Sequence, residues 1–338
     1  MALLLGEEDA ACDLMRSNPQ IAPTFPARVF CLARGGDWNA AALSLRTGET
    51  LGFVDADMAA LLSRFLDPDL YEGEPDLPAP LRPSPLVFRL REAIGQPMST
   101  STLPLAFAQA DLRANSGWKT RLEAAERLAR TGAIGANRLL GLYSEREPAA
   151  SGGIWDRVAA VQAFDSALDD GDVAAVTRTL PQVWDAMQSV ELEVPFAELY
   201  GAALAKLPLK GAVAAIALRV GLLSPEYETI ARGWTGGDGD AFLLGLARGQ
   251  VKDLTPQGDM AIAIQAAFAT PGLPDRAAQL MSERRTGEAL LRAIDDITEG
   301  ARGDLRDVSE GLRTLRGAGL EDVARRSALQ LLLLERRG

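Results

Sequence analysis

Apolar residues recur along this chain at steps of three and four. Ile154, Val158, Val161, Phe164 and Leu168 follow at steps of four, three, three and four, which places all five on one helix face. Leu122, Ala125, Leu128 and Ala129 repeat the pattern after Trp118. Period-two alternation is confined to short pieces such as Glu191–Val194. The spacing predicts an all-α protein with no sheet of more than two short strands.

Punctuation adds topology. Four places read apolar helix, Gly, Asp, apolar helix: the stretches ending at Asp37, Asp172, Asp240 and Asp304. Glycine accepts the left-handed conformation that ends a helix, and aspartate caps the free N–H groups that open the next. Each is therefore expected to be a tight antiparallel helix turn, with Asp37, Asp172, Asp240 and Asp304 as N-caps. Repetition of the signature along a helical chain predicts hairpins stacked as an irregular α-solenoid. A compact single bundle is the other arrangement this pattern permits.

The segment Ala27-Arg-Val-Phe-Cys-Leu-Ala-Arg-Gly-Gly-Asp-Trp-Asn-Ala-Ala-Ala42 resembles the core of a tetratricopeptide-like repeat, in which small alanines let two helices pack closely across a Gly-Asp turn. The full consensus, with Trp, Leu-Gly and Tyr at fixed offsets, is absent. The resemblance implies a binding or scaffold role.

One interruption dominates the organisation. Asp67–Pro85 carries six prolines, which lack the amide donor and restrict their predecessors. The stretch is expected to contain no helix and to run as an extended crossing segment, either packed as a long loop or acting as a hinge. The expected divisions are helical hairpins over 1–66, the crossing segment over 67–85, and a helical solenoid over 86–338. A softer break lies at Glu147–Gly153.

Composition then limits the chemistry. The 338 residues are 47% hydrophobic and 24% charged, an ordinary globular balance, and include no histidine. Triads built on histidine and zinc sites using imidazole are excluded, and two cysteines cannot supply four thiolates. The net charge of -11 disfavours nonspecific nucleic-acid binding. The basic residues Arg325, Arg326, Arg336 and Arg337 near the end are interleaved with Glu321, Asp322 and Glu335, as on a solvated helix face. No apolar run reaches membrane-spanning length; Gly211–Leu223 comes nearest, and Arg219 interrupts it. The opening Met-Ala-Leu-Leu-Leu-Gly-Glu-Glu has neither a cationic region nor a cleavage site and reads like the interior of a helix. A leader or N-terminal tail is therefore expected to precede it in the native gene.

Cys12 and Cys31 are the most informative pair. A turn near Pro19–Pro26 would make their segments antiparallel and put the thiols within about one turn of the same height, at about 1.5 Å per residue. They are expected to be bonded, or close enough to bond; two buried free thiols are the other reading. A bond closing about 20 residues would stabilise the fold by roughly 3 kcal/mol and would point to a bacterial envelope or secreted protein, with a cytoplasmic home as the alternative. The carboxylates Asp165, Asp169, Asp170 and Asp172 lack the closing Glu of a calcium loop, as does Trp234–Asp240. Ser151-Gly-Gly153 offers amides at a helix start, where capping is the simpler reading. Phosphate-loop, dinucleotide and nucleophile-elbow motifs are absent. The five tryptophans fall mostly at or near expected helix starts and are read as seals at hairpin joints.

No cofactor, metal, nucleic acid or membrane span is expected. The function expected is noncatalytic binding of a protein or peptide partner. The alternative is an accessory or catalytic module acting on cell-wall glycan through carboxylates.

Overall fold

The computed structural model describes residues 1–18, 23–235 and 241–334, and among these it is helical without strands. The chain divides into two compact units, Met1–Ile134 and Gly135–Gly338.

In the first unit lie α1 (Ala2–Leu5), α2 (Glu8–Ser17), α3 (Phe25–Arg34), α4 (Trp38–Thr50), α5 (Ala56–Leu66), α6 (Pro85–Ala93), α7 (Ala108–Asp111) and α8 (Trp118–Ala129). Helices α3 and α4 pack together across the Asp37 turn. Gly36 takes φ 83° there, and the Asp37 N–H reaches back to Leu32 O, closing the end of α3. Asp37 then accepts from the Ala40 N–H at 3.1 Å and opens α4. The core gathers Val29, Phe30, Ala41, Leu45, Leu62 and Leu90 from α3 to α6. Arg89 on α6 pairs with Glu8 on α2 and with Glu92, and Glu92 also holds Arg113.

The second unit holds α9 (Ala136–Tyr143), α10 (Ile154–Asp169), α11 (Val173–Gln188), α12 (Glu193–Leu204), α13 (Gly211–Leu223), α14 (Tyr227–Gly233), α15 (Ala241–Ala247), α16 (Asp259–Ala269), α17 (Asp275–Ser282), α18 (Thr286–Gly300), α19 (Leu305–Gly317) and α20 (Glu321–Leu333). The pairs α10–α11 and α18–α19 pack across the turns at Asp172 and Asp304. On α10 the apolar stripe is buried through Phe164; its fifth member, Leu168, is half-buried, and Ala167 is buried beside it. Phe164, Phe196 and Tyr200 form an aromatic cluster, with Trp184 against Phe196. Helix α20 returns to α13, α15 and α16 as well as to α19, a departure from strict nearest-neighbour stacking.

The proline-rich stretch lies inside the first unit, not at the boundary between units. It also departs from the expected absence of helix at both ends. Pro68 opens a 3₁₀ turn over Pro68–Tyr71, and Pro85 is the first residue of α6 behind the Ser84 cap. A first helical position needs no amide donor, so proline fits both places. Between them, Glu72–Ser84 contains no helix.

Candidate functional site

The cysteines are joined: Cys12 on α2 is disulfide-bonded to Cys31 on α3, with Cα atoms 5.5 Å apart. Cys12 is buried in the core of the first unit. Asp172 accepts from the N–H groups of both Ala174 and Ala175 at 2.9 Å, and Asp304 from the Arg306 N–H at 2.9 Å. Asp240 lies outside the described residues. In the acidic group of α10, Asp165 accepts from the Tyr200 hydroxyl at 2.8 Å while Asp172 serves as a cap, so two of the four carboxylates already have internal work. Gly153 precedes α10 as its cap residue, and the Gly152 N–H donates to Asp156 at 2.8 Å. Trp38, Trp118 and Trp155 sit at helix starts, whereas Trp184 lies inside α11 and Trp234 follows α14.

The arrangement that stands apart was not singled out in the sequence. It is a cleft between α5 and the proline-rich strap Glu72–Ser84. Prolines 75, 78, 80 and 83 donate no N–H, so the strap cannot satisfy its carbonyls by folding on itself. Two arginines do so. Arg64 on α5 donates to Pro75 O at 3.0 Å and to the Glu74 carboxylate at 3.1 Å, and lies over the Tyr71 ring. Arg91 on α6 donates to Pro78 O at 3.0 Å and Leu77 O at 2.8 Å, while Gln96 accepts from the Leu77 N–H at 3.1 Å. Arg91 is 6% exposed and forms no ion pair among the described residues. Carbonyl oxygens satisfy the terminal nitrogens of this buried cation, while its Nε is buried without a hydrogen-bond partner.

Pinned in this way, the strap forms one wall of a cleft of about 290 Å³. Met58 and Leu61 line it from α5, Val87 from α6, and Leu77, Pro78 and Pro80 from the strap. Asp55 and Asp57 stand at the α5 end. Asp55 caps α5 by accepting from the Met58 N–H at 2.8 Å; Asp57 has no hydrogen-bond or ion-pair partner among the described residues. Farther along the strap, Leu81 is 97% exposed. An apolar trough with a few charged groups at its edge has the make-up of a binding surface.

No protein-family model, curated protein or solved structure matches this chain.

The proline run was visible in the sequence, but the cleft was not. Arg91 lies 13 and 14 residues from the carbonyls it grips. A backbone oxygen leaves no mark on the sequence, so the pairing has no motif.

Proposed function

We infer that this chain is a noncatalytic, irregular helical-repeat protein of the tetratricopeptide-like kind that binds an extended segment of a protein partner in the cleft between α5 and the strap. The observation that carries this reading is an apolar trough at the surface, one wall of which is a strap gripped by Arg64 and Arg91 at Glu74–Pro78. The Arg64 and Arg91 grips fix the course of the strap, and with it the position of the trough's wall. The trough has room for an apolar side chain, whose full burial contributes about 1.5–3 kcal/mol to binding.

The Cys12–Cys31 bond supports a working place outside the cytosol, in the bacterial envelope or secreted, where such bonds persist. No helix among the described residues is long and apolar enough to cross a membrane.

Selection of peptides from a phage-displayed library on the immobilised full chain tests the function. Peptides should be enriched on the protein and lost on Ala79→Trp, which places an indole at the cleft wall. Enrichment unaffected by that variant, or none at all, would overturn the reading. So would the release of muropeptides from purified peptidoglycan, which would favour action on glycan instead.

A further inference from the structure

The charges around the cleft say more about its occupant, provided that the cleft is a peptide site as inferred above. Asp55 and Asp57 line its α5 end, both exposed, and Asp57 has no internal partner among the described residues. The cation in the lining, Arg91, is buried, and both of its terminal nitrogens are committed to strap carbonyls and to Gln96. It offers little to neutralise the lip. What faces an incoming ligand is therefore an apolar floor with an uncompensated negative edge, on a chain whose net charge is already -11. Such an edge repels acidic segments and attracts basic ones.

The wall itself constrains the occupant's shape. Prolines keep the strap extended through Leu77–Pro80, and the Ala79 N–H has no acceptor within the protein among the described residues. A chain lying alongside in extended form can place a carbonyl on that N–H while its side chains alternate between the trough and solvent.

We propose that the cleft between α5 and the strap binds an extended protein segment that inserts an apolar side chain over Met58 and Leu61 and sets an adjacent lysine or arginine against Asp55 and Asp57. The apolar contact supplies most of the affinity; the basic residue supplies selectivity, because exposed ion pairs contribute little each and are weakened by salt.

The test is a synthetic array of leucine-centred hexapeptides with every residue type in the flanking positions, probed with the full chain, with Asp57→Lys and with Ala79→Trp. Both substitutions fall on exposed residues, and coincident circular-dichroism melts would show that each variant folds. Peptides with a flanking Lys or Arg should bind about fivefold more strongly than those with Glu or Asp, the scale expected when exposed attraction is exchanged for repulsion. Asp57→Lys should remove or reverse that preference, raised ionic strength should shrink it, and Ala79→Trp should abolish binding of both sets. Binding that disappears in Ala79→Trp but ignores flanking charge would overturn this assignment and leave the cleft reading standing. Binding that survives Ala79→Trp, or no binding by any peptide, would overturn both.

Discussion

A few side chains show how residue-level chemistry fixes this structure. Asp172 accepts from two backbone N–H groups and Asp37 from one. Replacing Asp172 with Ala should cost about 1 kcal/mol of stability in a denaturant melt, and more than the same change at Asp37. These caps were legible, because an Asp after Gly between two apolar helices has one simple use. Tyr200 was not legible as a buried hydroxyl. Its burial, and then its hydrogen bond to Asp165, hold the phenol proton well above the ordinary value near 10; burial and Asp322 do the same for Tyr227, against an opposing pull from Arg325. A phenol whose folded pKa is raised contributes stability that is complete below the unfolded value of about 10 and is lost as pH rises beyond it. Near-ultraviolet absorbance during alkaline titration should therefore show fewer than four phenolates until the fold opens. All four tyrosines ionising together near the ordinary value would refute these two buried environments.

At the scale of elements, the helices and the disulfide could be read and the cleft could not. Helical spacing and turn chemistry are local signals, and Cys12 and Cys31 lie at similar distances from the prolines between them, so their closeness is legible from the sequence alone. The bond spans 19 positions in sequence, so Cys12→Ser should lower stability by about 3 kcal/mol. Thiol titration of the denatured, unreduced protein should find no free thiol; two per chain would remove the bond and the extracytoplasmic argument with it. The 3₁₀ turn at Pro68 and the start of α6 at Pro85 are not legible in a proline run, because the missing amide that breaks a helix interior suits its first position equally well. The strap's anchoring is not legible either, because the partners are main-chain oxygens. Arg91→Met should destabilise the chain by about 2 kcal/mol, since two carbonyls lose charged donors. It should also speed thermolysin cleavage within Glu72–Ser84; unchanged cleavage would show that Arg91 does not hold the strap.

At the scale of the molecule, the division after Ile134 had no counterpart in composition. Prolines drew attention to 67–85, yet that stretch is tied by side chains to α5 and α6 within one unit. A domain boundary is a property of contacts, and Ile134-Gly135 carries no unusual sequence. The first unit holds its own core, its disulfide and the cleft. Expressed alone, residues 1–134 should be helical, melt cooperatively and retain the bond; a non-cooperative melt would show that this unit depends on the rest of the chain. Helix α20 makes the opposite demand on the second unit, since it packs on helices reaching back to α13. Shape of that kind follows from chain return over more than a hundred residues, which no local pattern announces.

The grips on the strap fall largely on oxygens that every amino acid carries: those of Pro75, Leu77 and Pro78. Ala79, Leu81 and Arg82 take no part in them, and all three are exposed. Their identities can change without loosening the hold, so specificity at this wall can drift or be redesigned while the framework stays constant. The strap is in that sense a graft site: a short stretch on a rigid mount, where randomised residues would sample new partners at little cost in folding.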